Sequence, residues 1–66
     1  MEKIYRTHLI NEFINSNNLT DLAFCKLAGI SKDMLKRVIN QDENVTIEDL
    51  TKIVKVLKIK LLDIFY

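Results

Sequence analysis

Residues 20–40, TDLAFCKLAGISKDMLKRVIN, contain the only glycine of the chain, and that glycine separates two short runs of helical spacing. Thr20 is a good helix N-cap, and Leu22, Ala23, Phe24, Leu27 and Ala28 follow it as an apolar face. Gly29 comes directly after Ala28, where a helix ending in a left-handed residue is best served without a Cβ. Ser31 supplies a second hydroxyl cap, for a run whose apolar positions are Leu35, Val38 and Ile39. Two helices joined by about three residues with a glycine at the corner predict a helix-turn-helix.

The capping pattern recurs. Leu19 precedes Thr20 and pairs by spacing with Phe24; Ile30 precedes Ser31 and pairs with Leu35; Val45 precedes Thr46 and pairs with Leu50. Each is the pair of a hydrophobic staple around a hydroxyl cap, so helix starts are expected at 20, 31 and 46. Thr46 with Asp49 also has the spacing of a capping box.

The remaining elements follow from periodicity. A first helix is expected over 3–16, with Tyr5, Leu9 and Phe13 in one row and Ile10 and Ile14 in the next. Asn15, Ser16, Asn17 and Asn18 end it. Helices over about 20–28 and 31–40 come next, then a polar loop from Gln41 to Asn44. A fourth helix, 46–57, is expected to bury Ile47, Leu50, Ile53, Val54 and Leu57 and to expose Glu48, Lys52, Lys55 and Lys58. A short fifth helix near 60–65 carries Leu61, Leu62, Ile64 and Phe65. With no proline, one glycine and 48% hydrophobic residues, this is an all-α pattern, read as one domain over 1–66.

From Leu19 onward, LTDLAFCKLAGISKDMLKRVINQDENVTIEDLTKIVKVLKIKLLDIF resembles the Xre family, the DNA-binding domains of the phage lambda repressor and Cro class. The likeness spans roughly Ile10 to Phe65 and is clearest at Ala28-Gly29-Ile30-Ser31, at Leu35 and Val38, and in the tail from Thr46. It implies five helices with the helix-turn-helix at the second and third. It also implies a sequence-specific transcriptional regulator of repressor type that binds double-stranded DNA, commonly as a dimer, with residues 31–40 in the major groove. Candidate DNA contacts are then Thr20 at the start of the second helix and Lys32, Asp33, Lys36, Arg37 and Asn40 on the third. Lysine and arginine suit guanine edges or phosphates, and an aspartate accepts from cytosine N4.

The chain departs from the family pattern at several places. An arginine late in the first helix and a glutamate ending the third, which form an ion pair in many members, correspond to Ile14 and Ile39, and these two are expected to touch. Losing both charges together leaves no unpaired buried ion, whereas Ile39→Glu alone is expected to cost several kcal/mol. Cys25 stands at the family's alanine. Asp21 replaces a phosphate-binding glutamine, and residues 41–50 hold four acids and no base. The phosphate-dependent share of affinity is therefore expected to be small.

Other classes of function find less support. The net charge of +1 neither favours nor excludes nucleic acid. No nucleophile–base–acid set, glycine-rich phosphate loop or paired-carboxylate cleft can be assembled, so no enzyme, cofactor or metal site is expected. His8 has no second ligand at metal spacing and reads as a helix-surface residue. Cys25 reads as buried and inert. A single cysteine fits a reducing compartment; with no run of about 18 apolar residues and no leader pattern, a cytoplasmic protein without a membrane span is expected. Lys32, Lys36 and Arg37 also suit an ordinary solvated face. The alternative is therefore a protein-interaction or antitoxin-like accessory module whose acidic loop and apolar C-terminus bind another protein. Leu61, Leu62, Ile64, Phe65 and Tyr66 are more than a short helix can bury, so a homodimer through the C-terminal helix is expected.

Overall fold

The computed structural model describes residues 3–66. Its elements are α1 (Thr7–Ser16), α2 (Asp21–Ala28), α3 (Lys32–Ile39) and α4 (Ile47–Leu57), followed by one 3-10 turn, Leu61–Ile64. The three helix starts that the sequence marks are all capped by their hydroxyls. Thr20 accepts from the Ala23 N–H at 3.1 Å, Ser31 from Met34 at 3.1 Å, and Thr46 from Asp49 at 3.2 Å. Phe24, Leu35 and Leu50 are buried, with Leu19, Ile30 and Val45 packed against the same core, so each staple closes. At α4 the Thr46 hydroxyl also donates a hydrogen bond to the Asp49 carboxylate at 2.7 Å.

The helix ends share one device. Asn18, Gly29, Gln41 and Lys58 have left-handed φ values of 52°, 73°, 62° and 58°. In each case the next residue's N–H reaches five residues back: Leu19 to Ile14 at 2.9 Å, Ile30 to Cys25 at 3.1 Å, Asp42 to Arg37 at 2.9 Å and Ile59 to Val54 at 3.2 Å. These are Schellman-type ends, which satisfy carbonyls the helix leaves open and usually add an apolar contact. Leu19, Ile30 and Ile59 provide that contact. Leu19 and Ile30 then also serve as the first half of the next staple, which is why the links between α1, α2 and α3 are so short. Asp42, at the end of α3, is the one polar residue in this role.

The core lies where α4 meets α1, α2 and the 3-10 turn. Ile10, Phe24, Val38, Ile53 and Ile64 have no exposed surface, and Phe13 meets Phe24 edge-on with ring centroids 5.9 Å apart. Cys25 and Ala28 are buried on α2.

Three expectations are corrected. The first helix begins at Thr7, not at residue 3. Tyr5 instead forms an antiparallel bridge with Phe65, supported by Arg6 N–H to the Ile64 carbonyl at 2.7 Å and Tyr66 N–H to the Ile4 carbonyl at 3.2 Å. Its spacing from Leu9 and Phe13 imitates a helical row. The same bridge holds Phe65 extended, so the expected fifth helix is only a 3-10 turn and the described residues contain four α-helices. Finally, Leu22, Leu27 and Ile47 are 54%, 60% and 57% exposed rather than core. An eight-residue α2 buries only the stripe of Phe24, Cys25 and Ala28, and Ile47, in the first turn of α4, lies beyond the buried Leu50.

Candidate nucleic-acid interface

The Ser31 cap sets where α3 begins, and Leu35 and Val38 turn one side of it into the core. The other side is left to Lys32, Asp33, Lys36, Arg37 and Asn40, all exposed. None of these five side chains makes a hydrogen bond or ion pair among the described residues, where the one ion pair is Glu48–Lys52 at 4.0 Å on α4. Asp33 therefore does not neutralise Arg37, although the two are spaced for it.

A shallow cleft runs between α3, α1 and the start of α2. Lys32, Lys36 and Asn40 line it with Asp21 and Asn11, over an apolar floor of Ile14, Leu35 and Ile39. Asp33 and Arg37 stand outside that lining, on the adjoining side of α3. Thr20 is exposed at the N-cap of α2, next to Asp21, and its oxygen is already engaged by the Ala23 N–H. The cleft encloses about 170 Å³, below the roughly 300–1,000 Å³ of ordinary small-molecule sites. Exposed donors spread along one helix suit an extended partner better than an enclosed ligand.

Ile14 and Ile39 share the floor of this cleft. Both side chains line the cleft, but Ile14 is 8% exposed and Ile39 is 38% exposed. Ile39 lies in the last turn of α3, where the cleft opens to solvent, so a charge placed there keeps its water. At this exposure Ile39→Glu is expected to cost less than the several kcal/mol of an unpaired buried charge.

Asp21 brings a negative charge to the basic side of α3. Its influence reaches Cys25, whose thiol is pushed up chiefly by burial, then by Asp21, with Lys32 partly opposing. Cys25, inside α2, is 2% exposed and its Sγ lies 3.8 Å from the Ser31 carbonyl, so the thiol is packed against the turn that leads into α3. His8 is exposed, its ring 6.5 Å from that of Tyr66. Among the described residues no group of three or more metal-ligating side chains comes together. No helix among them is long and apolar enough to cross a membrane.

Gln41 escaped the sequence reading. Its Oε1 accepts from the backbone N–H groups of both Ile4 and Tyr5 at 2.7 Å, and its Nε2 donates to the Tyr5 carbonyl at 2.9 Å. The Tyr5 phenol in turn donates to the Asp42 carbonyl at 2.8 Å, and the Asp42 carboxylate accepts from the Asn44 N–H at 2.8 Å. Gln41 thus spends its side chain inside the fold, while Glu43 and Asn44 stay exposed. No local pattern announces this, because the partners lie 36 and 37 residues away.

No curated protein and no solved structure matches the chain. A family model does match, over most of its length. With α2 and α3 joined through Gly29 and the outer face of α3 unoccupied, the chain belongs to the Cro/C1-type HTH DNA-binding domain family, whose model matches residues 9–66.

Proposed function

We propose that the protein is a sequence-specific transcriptional regulator, repressor-like, that inserts α3 into the major groove of double-stranded DNA. Family membership gives DNA as the partner class. The observation that carries the finer reading is the outer face of α3: five exposed polar side chains, none engaged within the described residues. Lys32, at the start of the helix, and Lys36, one turn on, present donors to guanine edges or phosphates, Asp33 accepts from cytosine, and Arg37 and Asn40 reach bases or backbone. Thr20 adds a backbone contact at the cap of α2.

A two-fold dimer fits the same reading, since paired recognition helices meet successive major grooves about 34 Å apart. The C-terminal end would provide the contact. Leu61 and Phe65 are half-buried and Ile64 is buried, which leaves Leu62 and Tyr66 as the outward apolar pair at 80% and 61% exposure. Tyr66 is held between Arg6, whose guanidinium carbon lies 5.6 Å from its ring centroid, and His8.

Asp21 in the cleft, with Leu22 and Leu27 exposed on α2, favours a second reading: an accessory module that binds protein on this scaffold. Selection from a random duplex pool at low salt separates the two. Enrichment of a defined sequence supports the regulator, and failure to retain any duplex supports the module. Sedimentation at micromolar concentration tests the dimer, with Leu62→Glu expected to yield monomer; a monomer throughout removes this interface.

A further inference from the structure

We infer that Gln41 is a positioning residue for the DNA-reading helix, acting through its hold on the backbone of Ile4 and Tyr5. The inference rests on the DNA-reading role proposed for α3. Three of the four helix ends are closed by an apolar residue packed on the core: Leu19 after α1, Ile30 after α2 and Ile59 after α4. The end of α3 has Asp42 at that place and receives no such closure.

The backbone bonds there are complete: Asn40 N–H to the Lys36 carbonyl at 2.9 Å, Gln41 N–H to Val38 at 3.0 Å, and Asp42 N–H to Arg37 at 2.9 Å. They form around a non-glycine residue at φ 62°, a conformation that is unfavourable for a residue with a Cβ. Asn18, at the same place after α1, belongs to a type that tolerates it well; glutamine does not share that property. Lys58, likewise a residue with a Cβ at φ 58°, is followed by Ile59 packed on the core; Gln41 lacks that apolar closure, and its side chain supplies instead three hydrogen bonds at 2.7, 2.7 and 2.9 Å. Those bonds end on a segment that is itself fastened to the C-terminus through Arg6–Ile64, Tyr66–Ile4 and the Tyr5–Phe65 bridge.

The last turn of α3, which carries Lys36 and Arg37 and leads into Asn40, is thereby anchored to residues 4–6 and, through them, to residues 64–66. Without the anchor the turn still forms, but its angle to the body of the domain is less defined. Base discrimination depends on that angle more than phosphate attraction does, because base contacts are directional and short.

The test uses the whole chain carrying Gln41→Asn or Gln41→Gly. Both residues accept the left-handed conformation at least as well as glutamine, so the turn is kept; asparagine is one methylene short of the Ile4 and Tyr5 backbone, and glycine has no side chain to offer. Amide exchange at Ile4, Tyr5, Gln41 and Asp42 is followed together with affinity for the selected duplex and for a scrambled one, well below the thermal midpoint. The expected result is exchange faster by about tenfold at these four amides. Affinity for the selected duplex falls by about tenfold while that for the scrambled duplex holds. A merely structural role would not change the ratio of the two affinities in fully folded protein. Unchanged exchange at Gln41 and Asp42, or an unchanged affinity ratio in both variants, overturns the inference. A parent protein that prefers no duplex overturns the DNA-reading role itself, an outcome distinguished by failing before any variant is made.

Discussion

The phenol of Tyr5, 3% exposed, donates to the backbone carbonyl of Asp42 at 2.8 Å across 37 residues of sequence. Burial raises its pKa above the ordinary 10.0, and the nearby charges of Asp42 and then Glu43 raise it further. The folded state therefore binds the phenolic proton more tightly than the unfolded chain does. The resulting stability is full below the ordinary value of 10.0 and is lost as pH rises past it toward the raised one. Urea midpoints of the parent and of Tyr5→Phe, compared between about pH 8 and 11, are expected to converge as pH rises. Lysine titration is common to both proteins and cancels. Below that window Tyr5→Phe is expected to be less stable by about 1 kcal/mol, for the lost hydrogen bond. A difference that stays constant with pH removes the titration argument.

The cleft under α3 gives a second expectation. Ile14 is buried and Ile39, on the same cleft floor, is more than a third exposed. Ile14→Ala is expected to cost about 2–4 kcal/mol through lost burial and the space left behind. Ile39→Glu is expected to cost about 1 kcal/mol or less, in the range of surface substitutions and beside Lys32 and Lys36. Urea unfolding of the two single variants decides it. Equal costs would mean that Ile39 is as buried as its partner.

At the turn between α2 and α3, Gly29 has φ 73° and no atom within 4 Å of where a Cβ would stand. Gly29→Ala is therefore free of steric contact, and its expected cost of about 1–2 kcal/mol comes from backbone conformation alone. Ser31→Ala, two residues on, is expected to cost about 1 kcal/mol by freeing the Met34 N–H. Gly29→Asn is expected to recover part of the first loss, because asparagine tolerates this region. Thermal midpoints of the three variants test the ranking.

Much of this fold was legible because its signals are local. Thr20, Ser31 and Thr46 cap helices within three residues of themselves, and the staples add two more positions to each pattern. Gly29 marks its turn by being the one glycine. The start of α1 had no comparable mark, since Arg6 makes no side-chain cap bond, and the Tyr5–Leu9–Phe13 spacing extended the apparent helix into the residue that forms the isolated bridge with Phe65. Leu22, Leu27 and Ile47 show the limit of periodicity in short helices: spacing says which residues share a face, but how wide a stripe is covered depends on the neighbours. The site divides in the same way. Lys32, Asp33, Lys36, Arg37 and Asn40 are exposed on α3 as spacing implies, whereas the Gln41 anchor joins segments whose meeting only the tertiary fold determines.

The last expectation concerns the charges on α3 and opposite it. Lys36 and Arg37 are exposed and make no bond among the described residues, so neither supports the fold. Lys36→Ala and Arg37→Ala are expected to leave the thermal midpoint nearly unchanged while removing about 1–3 kcal/mol of discrimination between selected and scrambled duplexes. If one of them serves a phosphate instead, affinity falls for all duplexes alike and the salt slope decreases by about one. Asp21, in the cleft with Lys32 and Lys36, opposes any approaching phosphate. Asp21→Asn is therefore expected to tighten binding to every duplex at low salt, with the gain fading as salt screens the charge over about 10 Å at 0.1 M. Titrations of the three variants at two salt concentrations separate base reading from phosphate attraction. Discrimination untouched by both α3 variants would show that the outer face of this helix does not read the sequence.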